Sequence, residues 1–329
     1  MSAALGRNLT IAFFVLLVGG AISPMVVGHA KFPQWLEVVL GGLMSGVLYS
    51  LVALGLVLIF KASGVFNFAQ GSMVLFAALS LVRLMEKMPL AAALAVTVGI
   101  MVAFAWLVER LVLRPLVNQE GIVLFMATLG VAYFLDGFGQ ILWGSDIYTL
   151  HVGMPKEPKI LFENTFDGGI LVSMEDVIAA LLSALMVGAL WAFFQKTGTG
   201  RALRAVADDH QAAQSIGIPL NRIWVIVWTV AGLVALVAGV IWGSKLGVQF
   251  SLQLIALKAL PVVILGGFTS IPGAIIGGLV IGVGEKVSEV YLGPMLGGGI
   301  ENWFAYVLAL IFLLFRPEGL FGEIRIDRV

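Results

Sequence analysis

The chain has 329 residues, 60% of them hydrophobic and only 12% charged, with a mean hydropathy of +1.05, about half the charge usual for soluble domains. Nineteen basic and nineteen acidic residues cancel, so net charge gives no case for nucleic acid, and the absence of cysteine excludes disulfides and thiolate metal sites. Long apolar runs in place of short alternating strands predict an all-α polytopic membrane protein with about 8–10 transmembrane helices, not a β-barrel.

Leu9–Gly28 reads as a first span or an uncleaved signal anchor. Val27-Gly-His-Ala30 has some likeness to a small-residue cleavage site, but the run is long for a signal segment, which favours a span. Leu36–Phe60 is a clear span, and its Gly42–Gly46 pair has the spacing that lets helices pack closely in lipid. Gly64-Val-Phe-Asn-Phe-Ala-Gln-Gly71 follows, and then Met73–Leu84, which is short for a crossing. Two readings stand. One is a broken or re-entrant helix, whose free backbone groups are tolerated at membrane depth only where they line a cavity or are buried. The other is a plain cytoplasmic turn. Asn67 is placed to cap a helix beginning near Phe68.

Leu90–Val108 is a span, and Glu109, Arg110, Arg114 and Pro115 follow as an inner loop. Gly121–Leu142 crosses back with Asp136 near its far end. Residues 143–173 form the longest polar connection, with Asp146, Glu157, Glu163 and Asp167 against Lys156 and Lys159. So little positive excess puts this loop outside, where its length makes it a docking candidate.

Val177–Phe194 returns to the polar stretch of residues 196–222. There Gly198, Thr199 and Gly200 form a breaker cluster, and Gly217 and Pro219 close a helix expected from about Arg201 to Ile216. Leu203, Val206, His210, Ala213 and Gly217 share one face at helical spacing, with Arg201, Arg204, Asp208 and Ser215 on the other. An ordinary positive inner loop would look similar. A loop that only turned the chain around would be shorter and would need no such face, so a surface pressed by a partner is the alternative.

Ile223–Trp242 leaves again, and Leu252–Leu265 carries Lys258 and an expected break at Pro261. Residues 266–273 make a second glycine-proline interruption. Ala274–Val290 holds two overlapping GxxxG pairs, Gly273–Gly277 and Gly278–Gly282, and is expected to pack tightly. Glu285, Lys286 and Glu289 read as interfacial. Trp303–Phe315 is the last crossing, and Arg316, Arg325 and Arg328 mark a cytoplasmic tail, residues 316–329. This gives about ten crossings, or eight or nine if the interrupted pieces re-enter, with both termini and the 196–222 loop inside. His29, His151 and His210 make no metal cluster in sequence, and no Gly-x-x-x-x-Gly-Lys-Ser/Thr is present, so ATP, if it drives the protein, is hydrolysed elsewhere. A secondary transporter would keep intramembrane ionisable groups; only Asp136 and Lys258 lie deep, and both can snorkel.

Taken together these stretches resemble the permease subunit of branched-chain amino acid ABC importers, the LivH type. The likeness is carried by Gly64-Val-Phe-Asn-Phe-Ala-Gln-Gly71, Glu109-Arg-Leu-Val-Leu-Arg-Pro115, the Gly198–Ile218 segment, Leu265-Gly-Gly-Phe-Thr-Ser-Ile-Pro-Gly-Ala-Ile-Ile-Gly-Gly278 and Arg316-Pro-Glu-Gly319. Phe66, Phe268 and the extra N-terminal span depart from the family pattern. The resemblance implies an ABC importer permease fold in a bacterial cytoplasmic (inner) membrane. It implies ATPase subunits that use ATP, a second homologous permease, a periplasmic or extracellular solute-binding protein, and no cofactor on this chain. By that likeness Arg201, Arg204, Asp208, Asp209, Ala213 and Gly217 belong to an ATPase-coupling helix. The interrupted segments are the expected solute pathway, with Phe66, Asn67, Phe68, Gln70 and Gly71 in one and Gly266, Gly267, Ser270 and Pro272 in the other. Branched-chain amino acids are the expected solute; urea and short amides are carried by related permeases.

Overall fold

Seven helices among the described residues are long and apolar enough to cross a membrane, and three shorter apolar helices stand beside them in sequence. They are seen in a computed structural model that describes residues 3–26, 31–116, 119–163, 165–166, 168–208 and 210–322. In chain order the elements are α1 (Ala3–Val26), α2 (Phe32–Ser63), α3 (Gln70–Met85), α4 (Leu90–Val108), α5 (Gly121–Trp143), β1 (Pro158–Leu161), β2 (Ile170–Ser173), α6 (Met174–Lys196), α7 (Gly198–Asp208), α8 (His210–Ser215), α9 (Leu220–Leu246), α10 (Ile255–Gly266), α11 (Ile271–Leu296) and α12 (Phe304–Phe315). The architecture is all-α and polytopic. The cleavage-like residues 27–30 lie outside the described residues, as do Asp167, Asp209, Arg325 and Arg328.

Three expectations are corrected. The Glu109–Leu113 stretch is not a loop but a π-helical continuation of α4, followed by a 3-10 turn at Arg114–Leu116. Pro261 does not break its helix: α10 runs through it, as proline can in a membrane helix whose neighbours satisfy the freed carbonyl. Gly198 and Gly200 lie in the first turn of α7 rather than before it, because Thr197 caps that turn by accepting from the Gly200 amide at 3.1 Å.

The chain divides into two compact units. The first comprises the described parts of Met1–Ser50, Met154–Leu182 and Lys258–Val329. Here α2 and α11 meet through glycines: a Cβ on Gly46 would stand 2.6 Å from the Gly278 carbonyl oxygen, and one on Gly42 would stand 2.7 Å from the Val283 Cα. In lipid such contact replaces the hydrophobic drive that water supplies elsewhere. Phe13 of α1 packs edge-on to Phe312 of α12, with centroids 5.1 Å apart. Residues 158–173 contribute an antiparallel hairpin, Pro158↔Ser173 to Leu161↔Ile170, and the Glu37 carboxylate accepts from the Leu171 amide at 3.3 Å.

The second unit comprises Leu51–Gly153 and Ser183–Leu257. Its centre is α3, only 16 residues long and buried from Gln70 to Val82. Helices α4, α5 and α9 surround it together with a 3-10 turn at Phe250–Leu254. Trp143 of α5 donates its indole N–H to the Ser80 hydroxyl of α3 at 3.1 Å.

Candidate solute and coupling sites

Residues 64–69 are the break between α2 and α3. The helix starts at Gln70, two residues later than expected, and Asn67 acts just ahead of it: its Oδ1 accepts from the Ala69 amide at 3.0 Å. The Asn67 side-chain amide donates to Gln70 Oε1 at 3.4 Å, and Gln70 Nε2 donates to the Ala231 carbonyl at 3.4 Å. Both amides are fully buried, so in this conformation they are spent on the protein and do not face a solute. Thr128 of α5 holds the break from the side, its hydroxyl 3.4 Å from the Phe68 amide and 3.3 Å from the Phe66 carbonyl. Phe66 and Phe68 pack edge-on at 4.8 Å, both half-buried. Gly71 is buried directly against the Gln253 backbone.

The second break, residues 266–273, is held by a helix cap, a glycine turn and the tail. The Ser270 hydroxyl accepts from the Gly273 amide at 3.0 Å and caps α11, whose first turn holds Pro272. Gly267 turns the chain at φ +101°. The carbonyls that end α10 are taken by the tail: the Leu320 amide donates to Leu265 at 2.8 Å and the Phe321 amide to Gly266 at 3.1 Å. Orphan carbonyls at a helix end need such partners. The Arg316–Gly319 motif and the 265–278 motif therefore form one structure.

In the candidate coupling segment Leu203, Val206 and Ala213 are buried and Arg201 is exposed, as the helical spacing predicts. Gly217, expected on the buried face, is instead exposed at φ +86°, and Ile216 beside it is 75% exposed. The Gly217 amide bonds the Gln214 carbonyl and the Ile218 amide the Ala213 carbonyl, the two bonds of a Schellman ending. Arg204 does not project outward: its guanidinium donates to the Phe194 carbonyl near the end of α6. Asp208 is the last residue of α7.

Two charged arrangements escaped the sequence reading. Glu109 is fully buried and accepts both Nε and Nη2 of Arg114 at 3.0 Å each. Glu285 is buried in α11, and one of its oxygens accepts from the Tyr49 hydroxyl at 3.0 Å and from the Lys258 ammonium at 3.3 Å. Residues 236 and 27 positions apart leave no local signal. The available clue was an acid and a base of opposite sign in two different apolar segments. Asp136 likewise has neutral company, since the Gln253 amide, turned nitrogen-first, donates to its two oxygens at 2.7 and 3.1 Å. Among the described residues no group of three or more His, Asp or Glu could hold a metal.

Interrupted apolar helices, glycine-tight helix pairs and a short helical segment between two spans fit a polytopic transport permease. Comparison narrows the class: residues 38–316 match the family model described as "Branched-chain amino acid transport system / permease component", and the chain belongs to that family of multi-pass cytoplasmic-membrane proteins. It is similar to the high-affinity branched-chain amino acid transport system permease protein BraD of Pseudomonas aeruginosa, at 28% identity over 90% of this chain and 98% of that one. It is 29% identical to LivH of Escherichia coli strain K12, over 91% of this chain and 99% of that one. A probable LivH of Methanocaldococcus jannaschii is 31% identical over 86% and 91% of the two chains.

Proposed function

We propose that this chain is the membrane-spanning subunit of an ABC importer that brings branched-chain amino acids into the cytoplasm, driven by ATP that partner subunits hydrolyse. The observation that carries the reading is the family match, which spans both broken segments and the coupling segment at 38–316. In this reading a solute-binding protein delivers to the outer face, ATPase subunits press on α7 and α8, and a second, homologous permease completes the pathway. Exposed Arg201 and Ile216 support the coupling role by offering charge and apolar surface together. Arg204, Ala213 and Gly217 hold that surface in shape, and Asp208 and Asp209 complete the segment.

The two breaks are the pathway elements. Half-buried Phe66 and Phe68 suit an aliphatic side chain, and Asn67, Gln70 and Gly71 hold them in place. Gly266, Gly267, Ser270 and Pro272 shape the second break. Reconstitution with ATPase subunits and binding protein tests the reading: ATP-dependent leucine accumulation is expected, and accumulation independent of ATP would replace it with a secondary transporter.

A further inference from the structure

Tyr49, Lys258 and Glu285 come from three helices and meet at one carboxylate oxygen. Glu285 stands about 21 Å along a helix about 39 Å long, well inside the span. Ionisable groups at that depth are costly and are kept where they act on a solute or ion. Lysine in a membrane helix usually reaches for the headgroups; Lys258 turns to Glu285 instead. The pair is also lopsided. The Glu285 side chain is 6% exposed and that of Lys258 is 36% exposed. An ammonium has three donors, and among the described residues its acceptor is Glu285. The bridge encloses the anion and leaves the cation partly open, as a receiver for a second anion requires.

We propose that Lys258 receives the carboxylate of the amino acid in transit, with Glu285 and Tyr49 as positioning residues that keep its ammonium in place. The contact adds to the pair without breaking it, so the solute is held by one charge-assisted hydrogen bond and is released readily. The inference rests on the amino-acid reading above.

The test is leucine uptake by the full complex in proteoliposomes, with assembly yield and ATPase rate measured in parallel. The neutral pair Lys258→Gln/Glu285→Gln and the charge swap Lys258→Glu/Glu285→Lys both leave no lone buried charge. Each is expected to assemble and hydrolyse ATP while uptake per ATP falls by about 10- to 100-fold, the worth of one charged hydrogen bond. A structural pin predicts the opposite, because the swap restores the bridge and with it full uptake; that result overturns the proposal, as does full uptake by the neutral pair. If neither variant assembles, Tyr49→Phe decides, since it keeps the ion pair: unchanged uptake per ATP overturns the proposal, and a loss of about threefold, for one neutral hydrogen bond, supports it. Failure of the wild-type complex to move leucine would instead defeat the amino-acid reading itself.

Discussion

Gly267 and Gly319 touch backbone to backbone: a Cβ on Gly319 would lie 2.6 Å from the Gly267 amide nitrogen, and both residues hold positive φ, +101° and +81°. The contact joins the break between α10 and α11 to the chain end. Gly319→Ala is expected to lose about 1–3 kcal/mol from backbone strain together with the clash. Thermal unfolding in detergent reads the effect. An unchanged melting temperature would mean that the tail does not cap α10 in the membrane.

The α2–α11 contact predicts a steep size dependence. Gly46→Ala should weaken the pair and Gly46→Leu should abolish folded yield, because the obstacle is the Gly278 backbone and not a movable side chain. Size-exclusion profiles of the two variants check this, and equal profiles would contradict it.

Glu109 and Arg114 form a two-pronged bond with only the carboxylate buried. Arg114→Ala strands that carboxylate and should cost about 1–3 kcal/mol. Arg114→Lys should recover only part of the loss, since an ammonium cannot reproduce the fork. Unfolding midpoints of the two variants give the comparison.

Ile216 and Gly217 separate surface from shape in the proposed coupling segment. Ile216→Asp alters an exposed side chain and should leave folded yield intact while uptake per ATP falls several-fold. Gly217→Val, at φ +86°, should lower both uptake and stability. Uptake and ATPase rates measured side by side distinguish them, and normal coupling in Ile216→Asp would remove this face from the ATPase contact.

The number and order of apolar segments were legible because hydropathy reports directly on the bilayer. The helix end at Gly217 was legible because a glycine followed by a proline marks a helix C-terminus. What stayed hidden was long-range pairing. The partners of Glu285 were hidden because Lys258 and Tyr49 are far from it in sequence. Asn67 looked like a solute contact because the sequence does not show that Gln70 and Met73 enclose it. Arg204 looked like a free charge because its acceptor belongs to another helix. Continuation of α4 through Glu109 was masked by its polar residues, which normally signal a loop.

The most direct test of the account is ATP-driven accumulation of labelled leucine in vesicles holding this chain with its co-purified partners. The account predicts accumulation that requires ATP, a nucleotide-hydrolysing subunit and a solute-binding protein together. Accumulation by this chain alone, without ATP, would contradict it.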